Sequence, residues 1–308
     1  MLKLSIVIPV YNGANSIGRL VPELINQFGT KYDLEIVLVN DYSPDNSEEV
    51  CIQVQKKYAQ WVKFYSLAKN VGEHNAVMAG LNKCTGDKVV IMDDDFQNPP
   101  ESVVDLVEYS VTHQFDVVYS YYEDKKHHWF RNLGSQFNNL VASWMLKKPR
   151  DLYLSSFKVI DRFLVDEVIK YNLPFPYIDG LILRTTSNIG RLKVAHCERE
   201  EGESGYTLTK LVRLWMNMFT NFSILPLRVA MFVGMLAAIF GFIYGGVIIL
   251  EKFLNPDLPS GYASIVASIA FFAGVQLMAI GMVGEYLGRL FLSNNRHPQY
   301  TIRKSFDS

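Results

Sequence analysis

Cysteine is scarce in this sequence, with three residues in 308, at Cys51, Cys84 and Cys197. So odd and scattered a set fits reduced thiols in a cytosolic domain, and it does not fit a disulfide framework or a zinc site. The formal net charge is only −1, so no overall field would attract nucleic acid, and none is expected as a partner. A glycine-rich phosphate loop with its lysine is also missing, so Asn12-Gly13 is better explained as a turn.

The N-terminus lacks the pattern of a signal peptide, because the apolar stretch 4–10 is short and runs into a strand-turn pattern. Long apolar runs occur at the other end of the chain instead. Residues 229–250 and 262–284 contain no charged residue. Each run has the roughly 20 residues that cross a hydrocarbon core, which predicts two transmembrane helices. Two buried core helices are the alternative, which the length of uncharged sequence disfavours.

Basic residues are distributed unevenly around these two runs. The connector 251–261 has Lys252 alone, whereas Arg289, Arg296, Arg303 and Lys304 follow the second run. The positive-inside rule therefore predicts that both long ends are cytoplasmic and the connector is outside. We expect a cytoplasmic domain over 1–224, then the two spans and a cytoplasmic tail over 225–308.

The first hundred residues alternate between short apolar runs and helical patterns. Strands are predicted at 4–10, 35–40, 62–66 and 88–92, with amphipathic segments between them. This alternation predicts an α/β fold with a mostly parallel sheet. In such sheets the ligand binds beyond the carboxyl ends of the strands. Polar residues stand at four of these ends: Asn12, Asp41, Asn70 and Asp93 to Asp95.

The acidic cluster at 93–95 directly follows a buried strand. Alternate residues share a face of an extended segment, so Asp93 and Asp95 can act together while Asp94 points elsewhere. Hard oxygen ligands at a strand end suit Mg²⁺ or Mn²⁺, which also bridge to phosphates. A solvated acidic turn is the alternative for the cluster taken by itself.

Two segments combine aromatic and apolar residues at three- and four-residue spacing with flanking basic residues, at about 129–146 and 207–223. Such amphipathic helices are suited to lie in a membrane interface. An ordinary helix that packs on a core is the alternative for each.

Eight short motifs follow one another in a recognisable order, at 5–12, 39–45, 70–80, 92–101, 129–131, 199–206, 226–228 and 284–289. As a set they resemble the family 2 glycosyltransferases with the GT-A fold. Within that family the chain looks most like the bacterial polyprenyl-phosphate branch, which includes undecaprenyl-phosphate glucosyl and formamido-arabinose transferases.

The resemblance implies a metal-dependent, inverting transferase of the bacterial inner membrane. It would move a single sugar from a nucleotide-diphosphate donor, a UDP-sugar, to undecaprenyl phosphate at the cytoplasmic face. Mg²⁺ or Mn²⁺ would be the cofactor, and a homo-oligomer is expected.

The family motifs also suggest roles for individual residues. Those matching nucleotide-binding positions are Pro9, Tyr11, Asn12, Asp41, Asn70, Asp93 and Asp94. Those matching metal-side positions are Asp93, Asp95 and Gln97. Acceptor-phosphate positions are matched by Arg131, Lys158, Arg199 and Ser204, and catalytic roles are implied for Asp95, Asp161, Arg131 and Arg199.

The chain departs from the family pattern at several of these motifs. Asn12 stands where Glu is usual, Asn40 and Tyr42 stand where Asp and Gly are usual, and Ser156 replaces the earlier acid of the motif that ends at Asp161. The last change weakens any assignment of a general base. A phosphate acceptor removes the need for one, because its second pKa is near 6.

Two other functions compete with this one. A processive polysaccharide synthase would carry a Gln-x-x-Arg-Trp motif, which the sequence at 211–215 is not. A non-catalytic, nucleotide-binding membrane scaffold would not need Asp93, Asp95 and Gln97, which are all present.

Overall fold

The structure is a computed structural model of the chain. It describes residues 1–122, 152–174, 176–194, 225–254, 261–294 and 298–307. The predicted interfacial helices at 129–146 and 207–223 lie outside these residues, as do Arg131, Arg199 and Ser204. Two compact units are formed, one by Met1–Tyr206 with Arg296–Ser308, the other by Thr207–Asn295.

The first unit is built on an eight-stranded sheet. Its strands are β1 (Lys3–Val10), β2 (Asp33–Asn40), β3 (Val62–Leu67), β4 (Lys88–Ile91), β5 (Val117–Tyr121), β6 (Lys158–Asp161), β7 (Ile189–Lys193) and β8 (Ile302–Phe306). Their order across the sheet is β7-β5-β6-β4-β1-β2-β3-β8. Strands β1 to β4 are parallel to one another, as the alternating pattern predicted.

Helices connect these strands and cover the sheet. They are α1 (Ile17–Phe28), α2 (Ser47–Lys57), α3 (Glu73–Leu81), α4 (Glu101–His113), α5 (Arg162–Val168) and α6 (Ile178–Thr185). The buried positions of α1 recur at three- and four-residue spacing, which places its apolar face on the sheet. Strands β1 and β2 are buried along almost their whole length, as is usual when helices cover both faces of a sheet.

The order of the strands creates a switch point. The chain builds β1, β2 and β3 outward in one direction and then returns to place β4 on the other side of β1. Strands β1 and β4 are parallel neighbours at this reversal of strand order, so the segments that follow them meet at their carboxyl ends, where ligands bind in such sheets. The residues after these two strands are the Asn12 turn and the acidic cluster that the sequence pattern indicated.

The second unit contains α7 (Leu225–Leu254) and α8 (Tyr262–Asn294). Within the described residues, one stretch is long and apolar enough to cross a membrane, Phe271–Gly288 in α8, and none of it is buried. Helix α7 contains a shorter apolar stretch, Ala230–Gly241. The second predicted span thus overlaps a suitable helix, and the pair of spans remains a prediction.

Strand β8 is a feature that the hydropathy pattern did not reveal. Residues 302–306, expected as a tail after the spans, pair antiparallel with β3 at the edge of the first unit's sheet. The Phe306 ring stacks on Phe64 with centroids 5.7 Å apart. Gln299 Nε2 also donates to the carbonyl oxygens of Tyr171 and Leu173, at 2.8 and 2.7 Å. The end of the chain is therefore part of the α/β unit.

Candidate active site

The turn after β1 and the acidic segment after β4 meet at the switch point. A Cβ atom added to Gly13 would stand 1.8 Å from Asp94 Oδ2. Only a residue without a side chain permits this approach. The structure therefore brings Asp94, which was predicted for nucleotide binding, against the predicted nucleotide turn.

Three neighbouring strand ends share an unusual backbone conformation. Asn12, Tyr42 and Phe96 have φ of 58°, 53° and 58° and follow β1, β2 and β4. Positive φ is uncommon outside glycine, although asparagine tolerates it, and such residues cluster at ligand sites. Asn12 thus suits the turn that it occupies. Tyr11 and Tyr42 are half exposed there, which leaves their rings accessible to a ligand.

The carboxylates of Asp93 and Asp95 are both held in place. Ser156 Oγ donates to Asp93 Oδ2 at 2.7 Å, and the Gln97 backbone N–H donates to Asp95 Oδ1 at 3.1 Å. The side chains of this segment offer only hard oxygen ligands, which fit Mg²⁺ or Mn²⁺. Among the described residues no group of three or more His, Cys, Asp or Glu could hold a metal. Mg²⁺ is usually bound by one or two carboxylates together with substrate phosphates, and Asp93 and Asp95 could supply those carboxylates.

Asp41 holds the loop that follows β3. Its two carboxylate oxygens accept the backbone N–H groups of Val71 and Gly72, each at 2.8 Å. Asn70 Nδ2 donates to the Asp41 carbonyl oxygen at 3.2 Å. Burial raises the pKa of Asp41, and the two backbone hydrogen bonds oppose that rise. The geometry therefore shows Asp41 anchoring the Asn70 loop, and its predicted contact with the nucleobase remains a prediction.

Lys158 begins β6 and lies at the end of the sheet where the acidic segment is, but its side chain is buried. It is 3% exposed, and its ammonium pairs with the carboxylate of Asp179 in α6. Tyr119 OH donates to the same Asp179 oxygen at 2.9 Å. The structure therefore shows the charge of Lys158 in a buried ion pair, and its role in acceptor binding stays a prediction.

Asp161 and Asp93 lie at opposite ends of the strands of the sheet. Asp161 pairs in register with Lys88, at the beginning of β4, whereas Asp93 follows the end of β4. Its carboxylate accepts the Phe163 N–H as the N-cap of α5 and lies 2.9 Å from Lys88 Nζ. The structure therefore does not bring Asp161 to the acidic cluster, and its predicted catalytic role stays a prediction.

Three residues that adjoin the site were not among the predicted site residues. The family pattern marks Ser156 only as the place of a missing acid, yet its hydroxyl donates to Asp93. Glu73 begins α3, and its pKa is raised to about 7 by loss of hydration and by the charge of Asp93. Burial lowers the pKa of His74 to about 4. Its ring packs perpendicular to the ring of Tyr177, with centroids 5.2 Å apart. The Asn70 motif, which contains both Glu73 and His74, was the available signal.

Comparison with known proteins agrees with this geometry. The model of glycosyl transferase family 2 matches residues 5–169, and the model of the GtrB C-terminal hairpin matches residues 225–290. Relatives include the undecaprenyl-phosphate 4-deoxy-4-formamido-L-arabinose transferases of Edwardsiella ictaluri and Proteus mirabilis. They are 33% and 30% identical, over 97% and 98% of this chain and 93% of each relative.

Solved structures share the fold of the first unit. Glucosyl-3-phosphoglycerate synthase of Mycobacterium tuberculosis superposes with a TM-score of 0.51 at 18% identity, over 68% of this chain and 75% of that one. The same synthase in complex with Mn²⁺, UDP and glucosyl-3-phosphoglycerate gives 0.51 at 19% identity, over the same shares. The expected GT-A fold is confirmed. Since the family model spans more than half of the chain and the relatives nearly all of it, the protein belongs to glycosyl transferase family 2.

Proposed function

We propose that this glycosyltransferase moves one sugar from a UDP-sugar to undecaprenyl phosphate at the cytoplasmic face of the bacterial inner membrane. One observation carries the donor half of the proposal. The acidic segment 93–95 lies against Gly13 at the switch point of the sheet, where nucleotides bind in folds of this kind. The acceptor half is supported by relatives of nearly equal length whose names specify undecaprenyl phosphate.

The donor site is formed by the strand ends described above. Tyr11 and Tyr42 have accessible rings that could contact the base. Asp93, Asp95 and Gln97 would face the diphosphate. These residues would hold Mg²⁺ or Mn²⁺, which would offset charge on the departing UDP. The Mn²⁺ and UDP complex of the mycobacterial synthase, which has the same fold, is consistent with this choice. Ser156 keeps Asp93 oriented through its hydrogen bond.

A lipid phosphate acceptor fits the absence of an acid at position 156. The nucleophile is largely deprotonated at neutral pH, because the second pKa of a phosphate monoester is near 6. Transfer then does not need Asp161, which lies at the opposite end of β4 from the acidic segment, as a base. Catalysis depends instead on positioning of the two substrates and on cationic groups. Arg131, Arg199 and Ser204 are the residues proposed to hold the acceptor phosphate, with bidentate contacts from the arginines.

The path of the chain supports two membrane crossings. The chain leaves the first unit after Tyr206 and rejoins it at Arg296, and β8 then hydrogen-bonds to β3. A chain that starts and finishes on one side of a membrane crosses it an even number of times. Because α8 contains one stretch of spanning length, α7 is proposed as the second crossing. Both termini are then cytoplasmic, and a homo-oligomer is proposed from the family.

Transfer should be tested with the full-length protein in detergent micelles. A panel of UDP-sugars is incubated with undecaprenyl phosphate and Mn²⁺, and the lipids are extracted and analysed. We expect one glycosylated lipid carrying one sugar, and no product from Asp95→Asn or with excess chelator. Full turnover in chelator would overturn the metal assignment. A growing polymer would indicate a processive synthase, and no turnover of any donor would indicate a scaffold.

The orientation should be tested separately by cysteine labelling of intact cells. A probe at Ser260, between α7 and α8, should react with an impermeant reagent from outside, whereas one at Ser308 should not. The opposite pattern would overturn the proposed topology and with it the use of a cytosolic donor.

A further inference from the structure

A series of hydrogen bonds begins on strand β8 and runs into the sheet. Lys304 Nζ on β8 pairs with Glu48 Oε1 in α2. Ser66 Oγ in β3 donates to the other oxygen of that carboxylate, Oε2, at 2.5 Å. Asn40 Nδ2 at the end of β2 is 3.3 Å from the same Ser66 Oγ. Asn40 and Ser66 are almost fully buried, so each of these contacts replaces hydration that the residues have lost.

The series continues from Asn40 to the nucleotide turn. Asn40 Oδ1 accepts the Ser43 backbone N–H at 3.2 Å and the Ser43 hydroxyl at 2.6 Å. The Asn12 backbone N–H in turn donates to Ser43 Oγ at 3.3 Å. We call Lys304, Glu48, Ser66, Asn40 and Ser43 the Asn40 network. All of these residues belong to the first compact unit.

The direction of each hydrogen bond in the network is determined. A backbone N–H can only donate, so the Ser43 amide fixes Oδ1 of Asn40 as the acceptor and leaves Nδ2 facing Ser66. The contacts with Lys304 and Ser66 lower the pKa of Glu48, so its carboxylate is ionised and can only accept. The single proton of the Ser66 hydroxyl therefore points to Glu48, and Ser66 must accept from residue 40.

These directions explain why the chain has asparagine where its family usually has aspartate. An aspartate at position 40 could not donate to Ser66. Two carboxylates, at positions 40 and 48, would then compete for one hydroxyl proton in a buried place. Asn40 is the side chain that accepts from Ser43 and donates to Ser66 at once.

We propose that the Asn40 network positions the nucleotide turn at Asn12, so that strand β8 contributes to donor binding without touching the donor. Lys304, Glu48, Ser66 and Asn40 are positioning residues in this scheme. The inference rests on the proposed function, because it takes the Asn12 turn as part of a UDP site. Its tests therefore begin from a direct measurement of UDP binding.

The first test reverses the direction of the hydrogen bonds that Ser66 makes with residues 40 and 48. In full-length protein in detergent, we would measure the Kd of UDP with Mn²⁺ by calorimetry for Asn40→Asp, Glu48→Gln and the double variant. Asn40→Asp should weaken binding about tenfold, because one buried group loses its partner. Glu48→Gln alone should weaken it about two- to fivefold, because Ser66 and Lys304 contact different oxygens of Glu48 and the amide replaces one of them with a donor NH2 group.

The double variant should bind more tightly than Asn40→Asp alone and within about threefold of wild type. The amide introduced at position 48 would donate to Ser66 through its nitrogen and accept from Lys304 through its oxygen. Ser66 would then donate to the carboxylate introduced at position 40. Rescue of one substitution by the other is a result that general destabilisation does not produce. If the effects of the two single variants simply multiply, the proposal is wrong.

A second test addresses β8 itself. Lys304→Met should weaken UDP binding about two- to fivefold, whereas Lys170→Met, the matched control that breaks an exposed lysine–glutamate pair with Glu167, should not. Unfolding midpoints are measured alongside. Equal Kd values for all variants, with wild type binding UDP, would overturn the inference and leave the proposed function standing. Failure of wild type to bind UDP would instead overturn the proposed donor site.

Discussion

Asp94 Oδ2 and the backbone of Gly13 approach so closely that a Cβ atom at position 13 would stand 1.8 Å from the oxygen. The two residues are far apart in the sequence, and they join the ends of β1 and β4 into one crevice. The contact fixes the position of the acidic segment relative to the nucleotide turn.

Gly13→Ala should therefore impair donor binding, because the added methyl group must displace Asp94 or the turn. We expect UDP affinity to fall at least about tenfold, as when about 1.4 kcal/mol is lost. Gly18→Ala is the matched control, since a Cβ there makes an ordinary 3.5 Å contact with Val50. It lies in α1 and should leave affinity unchanged. Equal affinity in both variants would show that Asp94 has no part in the site.

Ser156 supplies a hydrogen bond to Asp93 that an acid at this position could not supply while ionised. Ser156→Ala should raise the KM for the UDP-sugar about tenfold, since hydrogen bonds to charged groups contribute about 1.5–3 kcal/mol. Ser155→Ala is the control, because that neighbouring hydroxyl bonds to Ser120 at 2.9 Å instead. An unchanged KM in Ser156→Ala would remove Ser156 from the donor site.

The buried pair of Lys158 and Asp179 should matter for stability. Asp179→Asn leaves an uncompensated ammonium in the interior and should lower the free energy of unfolding by about 3–5 kcal/mol. Glu108→Gln, which breaks the exposed 2.6 Å pair with Lys31, should leave the unfolding midpoint nearly unchanged. Thermal or denaturant unfolding in detergent measures both. A folded, fully stable Lys158→Met variant with weakened acceptor binding would instead support a role for Lys158 at the acceptor site.

His74 should make stability depend on pH. Its pKa of about 4 in the folded protein is below the ordinary value of 6.5, so the folded state binds fewer protons between these pH values. Stability from this group is present above pH 6.5 and is lost as pH falls toward 4. Between about pH 7.5 and about pH 5.5 the loss should be about 1 kcal/mol. His74→Gln should lose less stability over this pH range, because it lacks the imidazole that titrates. Parallel pH profiles of stability for the two proteins would contradict the lowered pKa of His74.

The sequence by itself determined the local features of this protein. Alternating apolar runs predicted β1 to β4. The polar residues that follow these runs indicated the site at Asn12, Asp41, Asn70 and the acidic segment, because the carboxyl ends of parallel strands lie on the same side of the sheet. The ordered motifs predicted the family and the GT-A fold. Each of these inferences depends on residues that are near one another in the chain.

Only the tertiary structure decided which distant residues meet. Asp161 ends a motif of the family, yet β6 runs antiparallel to β4 and places it at the opposite end of β4 from the acidic cluster. Lys158 is a surface residue type that Asp179 and Tyr119 make tolerable in the interior. Strand β8 has no strong apolar pattern, because it lies at a sheet edge with three of its five residues exposed. Its place is fixed by pairing with β3, which is so distant in the sequence that no local pattern encodes the contact.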